Sequence, residues 1–446
     1  MSNDYTILGS GPSALAVIDE LIIQGIPLNK ITIITNSLTE PIEKGKSKKI
    51  NAKKLVHYSK GQSNFWGASH FPLNVSSTEL SKRFSDNEIR IANANNSRML
   101  QIQSENINKG FNEGEVIGKV KRKKTAQNWC EKPNAQVQHS RLSIGGHRNK
   151  SVLCLKDSNC AKQCVCGAKW VPHVELQNLK YNESKKSMNI VYGEVDKINI
   201  QKKTISLKSG QDCPFKTLFV SLGALNTCKI LNRSETKYGK LKLLTSPVLI
   251  IPFRLVKLIS HDDFYKCHDY ADLNFIRYAR QGKIQSFTQI YLPSSGLTRK
   301  IGERLPLIIR QLFFILQDKS YYIFGKIGLV MCFLEGSEFK HSKKDLKQEF
   351  DKEVKEIKFL LKANQSRLSR FPKIWALKGN GFHSGAIHAE QEATQFGINS
   401  KVFIELAKQD IHLTDASALP RIQPGPHSNA AGVLARLNVR KILRNP

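Results

Sequence analysis

The chain has few acidic residues for its number of basic ones, and it lacks any long uncharged apolar run. Asp and Glu total 37 against 69 Lys and Arg, which leaves a formal charge of +32 over 446 residues. No apolar run approaches the roughly 20 residues that a helix needs to span a bilayer, and no basic segment with a cleavage site marks a secretory signal. No internal repeat is present, so a repeat architecture is not expected. We therefore expect a cytoplasmic protein, with peripheral contact to an anionic membrane as an alternative.

The positive charge suits nucleic acid, anionic lipid or a phosphorylated substrate, although a basic, solvated surface explains it equally well. The lysines and arginines stand in separate runs at residues 44–60, 119–124 and 340–358. Because a nucleic-acid-binding module presents one compact basic stripe, we expect no specific nucleic-acid partner. Hydrophobic residues make up 40% of the chain, which is enough for a substantial core and makes disorder of the whole chain implausible.

Nine cysteines are present, and without a secretory signal a disulfide framework is not expected. Four of them cluster in the sequence: Cys154, Cys160, Cys164 and Cys166. Four thiolates are enough for tetrahedral zinc or an iron–sulfur cluster, and Cys130 and His147 are substitute ligands. The spacing matches neither standard pattern, so free thiols in a reducing compartment are the simplest account.

The start of the chain indicates a βαβ unit. An apolar strand at residues 5–8 runs into a glycine turn and a helix at 12–24, and a second strand follows at 31–35. Gly9 permits the tight turn, Gly11 lets the backbone approach a phosphate, and Ala14 allows close packing of helix on strand. An acid usually closes the second strand and binds a ribose; Asn36 stands there instead and can still hydrogen-bond a ribose hydroxyl.

The end of the chain predicts the other half of the binding site to which the first glycine turn belongs. A short strand at 411–414 ends in Asp415, and a proline turn, a Gly-Pro loop and a final helix at 430–443 follow. Other expectations are a β-meander at 189–207, a buried strand at 218–222 that exits at a glycine, and a charged helix at 345–363. The apolar stretch 305–334 is expected to form core helices, with a surface that touches a membrane as the alternative. Residues 84–150 give the weakest signal in the chain.

Five segments, taken in order, resemble the glucose–methanol–choline (GMC) oxidoreductases, flavoenzymes that oxidise alcohols. They are most similar to the members encoded among bacterial surface-polysaccharide genes. The segments are Gly9–Ala14, 61–68, 223–231, 381–387 and 415–431. The resemblance covers about residues 1–75 and 187–446. It implies an α/β fold with a discontinuous FAD-binding, Rossmann-like domain (1–75, 187–240 and 371–446), an insert carrying the cysteine cluster (76–186) and an α+β substrate-binding domain (241–370).

The resemblance also implies which residues hold the flavin. The matching positions are Gly9, Gly11, Pro12, Ser13, Ala14, Asn36, Ser63, Asn64, Trp66, Gly67, Gly223, Ala224, Asp415, Ala416, Asn429 and Ala430. In the family, the acid at Asp415 and the backbone amides after it hold the ribityl and phosphate region. Some relatives tether the flavin through a histidine immediately before the tryptophan. Phe65 stands there in this chain, so we expect a non-covalent cofactor.

For catalysis, His383 falls on the histidine that removes the alcohol proton as hydride leaves for flavin N5. A histidine titrates near neutrality, as this task requires, and His388 is a nearby rival. Asn429 falls on the second active-site residue, which hydrogen-bonds the substrate oxygen, and His427 is its alternative. Ala386 and Ile387 depart from the family pattern at a glycine and a small polar residue.

The implied substrate is a small-molecule or glycan alcohol, and the positive charge favours one that bears phosphate. A role in polysaccharide biosynthesis follows from the resemblance alone. Two other functions stay open. One is a flavin- or nucleotide-binding protein that has lost catalysis, and the other, suggested only by charge, is a flavin-dependent nucleic-acid modifier without any recognisable RNA-binding module.

Overall fold

The architecture comes from a computed structural model, and every structural statement concerns the residues that it describes. These are residues 4–36, 69–70, 78–103, 135–139, 141–143, 146–147, 150–151, 170, 172, 175–176, 188–234, 239–255, 273–278, 284–291, 327–335, 348, 350–355, 357, 366–368, 373–375, 384–390 and 395–444.

The strands of the described chain are β1 (Tyr5–Leu8), β2 (Ile31–Thr35), β3 (Ser69–His70), β4 (Ile102–Gln103), β5 (Ala135–His139), β6 (Arg141–Ser143), β7 (Gly146–His147), β8 (Lys150–Ser151), β9 (Asn189–Tyr192), β10 (Val195–Asn199), β11 (Thr204–Leu207), β12 (Asp212–Pro214), β13 (Thr217–Val220), β14 (Leu241–Thr245), β15 (Val248–Leu255), β16 (Leu273–Tyr278), β17 (Ile284–Tyr291), β18 (Ile327–Leu334), β19 (Ser366–Leu368), β20 (Lys373–Trp375), β21 (Ser384–Ala389) and β22 (Ile411–Leu413). The helices are α1 (Pro12–Ile23), α2 (Thr78–Ser81), α3 (Asp86–Met99), α4 (Ala224–Arg233), α5 (Lys401–Ala407) and α6 (Ser428–Arg444).

Five parallel strands form the central sheet, in the order β22-β13-β1-β2-β9. Apart from the edge strand β9, the strands are short and mostly buried because both faces of the sheet are covered. The predicted βαβ unit and α/β fold class are confirmed. The predicted meander is partly wrong: the segment at 189–192 is β9, an edge strand of the parallel sheet, and only β10, β11 and β12 form an antiparallel meander.

Each face of the central sheet packs against different elements. Ile7, Ile33 and Phe219 belong to the same apolar cluster as α1 and residues Ala435 and Val439 of α6. The opposite face, with residues such as Leu8, joins a second cluster with α4 and the meander. This alternation follows from the two-residue period of a strand, which sends neighbouring side chains to opposite faces.

Helix α3 lies in the region that gave the weakest sequence signal. Its start is fixed by a capping box, in which Ser85 accepts a hydrogen bond from the Glu88 amide while the Glu88 carboxylate accepts one from the Ser85 amide. The helix packs along α6 and also contacts α1. Part of the predicted insert 76–186 therefore joins the helical layer over the central sheet, while β5, from the same insert, joins the second sheet.

Where α1, α3 and α6 meet, charged side chains are buried. Arg436, fully buried, donates to Asp19 Oδ2 at 2.5 Å and to Glu20 Oε2 at 3.1 Å. Arg440 donates to Glu20 Oε1 at 2.6 Å, and Gln24 also donates to that oxygen. Although burial opposes ionisation, these hydrogen bonds and charges keep the pKa of Glu20 below its usual value. The cluster fixes the rotation of α6 against α1.

The second sheet is antiparallel, in the order β19-β15-β18-β17-β16-β5, with β20 also paired to β15. The prediction of core helices at 305–334 is wrong for its described part, because Ile327–Leu334 is a strand, β18, between β15 and β17. One face of this sheet is apolar and includes Val248, Ile276, Phe287 and Phe333. Within the described part of the chain, no helix has the length and hydropathy required to cross a membrane.

Two close contacts hold the loop after β22 in place. A Cβ at Gly425, in the loop before α6, would lie 2.8 Å from Cδ1 of Phe287 in β17. A Cβ at Gly385, in β21, would overlap the carbonyl oxygen of Ala416. Because glycine is required at both places, the loop after β22 is held against the second sheet on one side and against β21 on the other.

Candidate cofactor and active site

The first glycine turn lies at the carboxyl end of β1, between β2 and β13. The Gly9 amide donates to Ile34 O at 2.8 Å, and the Ser221 amide donates to Leu8 O at 2.9 Å. Gly9 has a φ of 102°, and a Cβ there would lie 2.5 Å from Ser221 O. Only glycine fits this conformation and this approach. The strands on both sides therefore fix the conformation of this turn.

Gly11 differs from Gly9 in what surrounds it. Its φ is −81°, which any residue can adopt, and a Cβ there would meet no described atom within 4 Å. Gly11 is the N-cap of α1 and has no side chain with which to cap it, and the first turn reads Pro-Ser-Ala-Leu. A helix N-terminus without acidic neighbours, next to open space, suits an anion such as a pyrophosphate. In this turn Ser13 and Ala14 are buried.

A second glycine turn lies beside the first, at the end of β13. Gly223 has a φ of 82° and is the N-cap of α4, and a Cβ there would also meet nothing within 4 Å among the described atoms. Ala224, the first residue of α4, is buried. Two helices, α1 and α4, thus begin at neighbouring strands of the same sheet edge, each behind a glycine that leaves space in front of it.

Asp415 lies one strand further along, at the end of β22. Thr227 Oγ1 donates to its Oδ2 at 2.5 Å, and the Ser417 amide donates to its Oδ1 at 2.8 Å. Burial raises the pKa of Asp415, and the hydrogen bonds from Ser417, Thr227 and the Gly223 amide oppose that rise. The carboxylate therefore ties the turn after β22 to the turn after β13.

Both carboxylate oxygens of Asp415 bond to protein groups, so the residue shapes the turn, and its contact with a flavin stays a prediction. The sequence did not single out Thr227, its partner from the first turn of α4. The only sequence signal was a hydroxyl residue shortly after a glycine at a helix start.

Hydroxyl pairs continue this edge from strand to strand. Ser10 Oγ and Thr35 Oγ1 lie 3.0 Å apart, and Ser221 Oγ and Thr414 Oγ1 lie 2.6 Å apart. Asn36 follows β2 directly and is exposed. Since β13 lies between β1 and β22, the two predicted halves of the site meet at one sheet edge.

The residues at the start of α6 face different neighbours. Asn429 is buried, its Oδ1 accepts from Asn96 Nδ2 at 2.7 Å, and its Nδ2 donates to Asn93 Oδ1 at 3.1 Å. Both ends of its amide therefore bond to α3. His427, the alternative, is buried in the loop just before the helix, and Ala430 is half-buried.

The segment 381–387, which carries the candidate base His383, is only partly described. His383 lies outside the described residues, and β21 begins at the next position. Within β21, Ala386 is buried with a φ of 52°, a left-handed conformation that glycine adopts readily. His388, the rival base, is buried with Nδ1 2.9 Å from Ala389 O and its ring edge against Phe396, as in a core histidine.

Several predicted ligands fall outside the part of the chain that the structure describes. They are Ser63, Asn64, Trp66, Gly67, Cys154, Cys160, Cys164 and Cys166. Among the residues that are described, no group of three or more His, Cys, Asp or Glu side chains is arranged to hold a metal ion. The zinc or iron–sulfur site therefore stays a prediction. Cys228, a described free thiol next to this edge, has its pKa raised to about 11 by burial.

Comparison with known proteins identifies the fold. No protein-family model matches the sequence, and no curated protein matches it. Among solved structures, it is similar to pyridoxine 4-oxidase from Mesorbium loti, with a TM-score of 0.59 and 10% identity over 99% of both chains. It is also similar to a fungal aryl-alcohol oxidase, with a TM-score of 0.52 and 10% identity over 100% of this chain and 99% of the other. The chain has the α/β fold of these two oxidases. At this identity the likeness establishes the fold alone, and the residues of the site carry the functional argument.

Proposed function

We propose that this chain is an FAD-dependent oxidoreductase of the GMC type that binds its cofactor non-covalently and oxidises an alcohol. The observation that carries the proposal is the shared sheet edge. There α1 and α4 begin behind Gly11 and Gly223, and a Cβ on either glycine would project into open space. A dinucleotide needs such an edge, because its pyrophosphate must approach backbone amides closely.

The described residues fit FAD in an ordered way. Gly11 and the first turn of α1 would hold the pyrophosphate, and Asn36, exposed after β2, would hydrogen-bond the adenosine ribose. The turn that Asp415 organises and the start of α6 lie further along the edge, where the flavin half would lie. When bound, FAD supplies the hydride acceptor, its N5 atom, for the carbinol carbon.

Two side chains of this chain would act on the alcohol. His383 accepts the hydroxyl proton, because a neutral imidazole is a competent base near pH 7. The second group donates a hydrogen bond to the substrate oxygen and stabilises its developing negative charge. Because both ends of the Asn429 amide bond to α3, we propose His427 for this second role and Asn429 as its alternative.

For the substrate, we propose a hydroxyl of a sugar or glycan intermediate that bears phosphate, in polysaccharide biosynthesis. The formal charge of +32 supports an anionic substrate, since a positive field raises the local concentration of such ligands. A Michaelis constant for a phosphorylated sugar alcohol that rises with ionic strength would support this choice. A constant that ignores salt would count against it.

An absorbance spectrum of purified protein, followed by anaerobic mixing with candidate alcohols, tests the function. We expect the absorption bands of oxidised flavin, and we expect denaturation to release that flavin into the filtrate. An alcohol that is a substrate should bleach the bands. The variant His383→Ala should bind flavin but bleach at least ~100-fold more slowly, while the matched variant His388→Ala should bleach at the wild-type rate. Protein without flavin contradicts the proposal. Flavin that no alcohol bleaches would instead indicate a binding protein that has lost catalysis.

A further inference from the structure

Helix α3 holds the start of α6 through a cluster of three side-chain amides, two of them buried. Asn96 is fully buried, and its Nδ2 donates both to Asn429 Oδ1 at 2.7 Å and to Asn429 O at 3.3 Å. The Asn429 Nδ2 donates in turn to Asn93 Oδ1 at 3.1 Å. Two residues of α3 thus bond to the side chain and the backbone of one residue in the first turn of α6.

The two helices approach closely enough for these bonds because of Gly432. A Cβ at Gly432 would lie 2.5 Å from Asn96 Oδ1 and 2.8 Å from Asn96 Nδ2. One turn further, Arg436 Nε lies 3.5 Å from the same Oδ1. A single buried amide therefore contacts the first turns of α6 at three successive points, and it links them to the ion cluster on α1.

The same first turn lies beside the candidate catalytic loop. The Ala431 amide donates to His427 O at 2.9 Å, so the backbone of His427 forms part of the helix start. Two residues earlier, Gly425 packs on Phe287 of the second sheet. The segment between Gly425 and Ala431 is thus held from one side by the second sheet and from the other by α3.

We propose that Asn93 and Asn96 are positioning residues that fix the start of α6, and with it His427, against the cofactor edge of the sheet. The inference rests on the function proposed above. The rate at which a bound substrate reacts is sensitive to small displacements, since about 1 Å of misplacement lowers it on the order of 100-fold. The N-terminus of α6 also carries a fixed partial positive charge, so its position affects any negative charge that develops nearby.

A double-mutant cycle tests the proposal. The variants are Asn96→Leu, Asn429→Leu and the two combined, with Asn232→Leu as the matched control. Asn232 is a helix asparagine with two hydrogen bonds to Leu241, at 2.7 Å and 3.1 Å, at the far end of α4. We expect flavin reduction to slow about 10- to 100-fold in each of Asn96→Leu and Asn429→Leu, with KM and FAD affinity changed much less. In the combined variant the two effects should not multiply, because each single change already removes the side-chain hydrogen bond between Asn96 and Asn429. Asn232→Leu should reduce its flavin at the wild-type rate.

Two results would overturn the inference: effects of Asn96→Leu and Asn429→Leu that multiply in the combined variant, or a control that slows as much as Asn96→Leu. Amide hydrogen exchange of the apo protein gives a separate readout that needs no cofactor. The amides of residues 429–433 should exchange roughly tenfold faster in Asn96→Leu, as expected for a lost hydrogen bond with an unsatisfied partner, and unchanged in Asn232→Leu. Unchanged exchange in Asn96→Leu refutes the inference even if the protein binds flavin, whereas a wild-type protein without flavin refutes only the proposed function.

Discussion

Gly9 and Gly11 stand two residues apart in one turn, yet alanine at the two positions should have different consequences. At Gly9 the backbone has a φ of 102°, and the new Cβ would lie 2.5 Å from Ser221 O. At Gly11 the φ is −81°, and the new Cβ would meet no described atom within 4 Å. Gly9→Ala should therefore impair folding, and Gly11→Ala should impair cofactor binding alone.

The magnitudes follow from these geometries. A left-handed backbone costs an alanine about 1–2 kcal/mol, and the overlap with a backbone carbonyl adds about 1–3 kcal/mol, so Gly9→Ala should lose about 3 kcal/mol of unfolding free energy. For Gly11→Ala, the lower conformational entropy of the unfolded chain raises the free energy of unfolding by about 0.4–1 kcal/mol. Alanine is a poorer N-cap than glycine, and this loss offsets the gain. Its apo stability should stay within about 1 kcal/mol of the wild type.

In the proposed site, a bound pyrophosphate would occupy the space that the new methyl group of Gly11→Ala would fill. Displacing the phosphate by a fraction of an ångström costs about 1–3 kcal/mol, which weakens FAD binding about 5- to 150-fold. Urea unfolding of both apo variants and fluorescence titration with FAD measure the two effects. FAD at 100 times the wild-type dissociation constant should stabilise the wild type by about 2.7 kcal/mol and Gly11→Ala by much less. Wild-type affinity in Gly11→Ala, or apo instability equal to that of Gly9→Ala, would refute the reasoning.

Three further predictions concern the core around the site. Burial lowers the pKa of His412 to about 4 from an unfolded value of 6.5. Between these two pH values the unfolded chain therefore binds a proton at His412 and the folded chain does not. The unfolding free energy should be highest above pH 6.5 and fall by about 3 kcal/mol as the pH drops to 4; urea unfolding across this range should show a shallower fall in His412→Phe, and equal slopes would contradict the assignment. Arg436→Met leaves Asp19 and Glu20 buried without their partner and should cost about 3–5 kcal/mol, and adding Asp19→Asn and Glu20→Gln should restore part of that loss; a single variant as stable as wild type would show that the cluster is solvated. At Ala386, glycine relieves a left-handed φ worth about 1 kcal/mol but removes a buried methyl group worth about 0.8 kcal/mol, so thermal unfolding of Ala386→Gly should match the wild type, whereas Ala386→Val should melt well below both.

Local patterns predicted the elements that lie next to each other in the chain. The strand at 5–8, the glycine turn and a helix at 12–24 were predicted because apolar periodicity and glycine chemistry act over a few residues, and the structure has the helix at Pro12–Ile23. The same kind of pattern misled at 327–334, where an apolar stretch predicted a helix and the structure has β18. Short apolar runs suit a buried strand and a buried helix equally well, and the neighbouring strands decided between them.

Helix α3 shows a different limit. Its capping box, Ser85 with Glu88, is a local signal that was available in the sequence. Its interior is rich in asparagine, and few of its residues are apolar, so periodicity alone did not reveal it. The function that we propose for Asn93 and Asn96 depends on docking against α6, which no local pattern contains.

The sequence by itself determined that two glycine-bearing turns and an acid follow apolar strands, because those features need only neighbouring residues and backbone geometry. The tertiary structure decided what the acid and the amide do. Asp415 bonds to Thr227, which is 188 residues away in the chain, and Asn429 bonds to Asn96, which is 333 residues away. Side-chain hydrogen bonds of this kind form only after the sheet and helices have packed. Residue type can therefore mark a position as important, and the partners that folding supplies then fix the direction in which that side chain points.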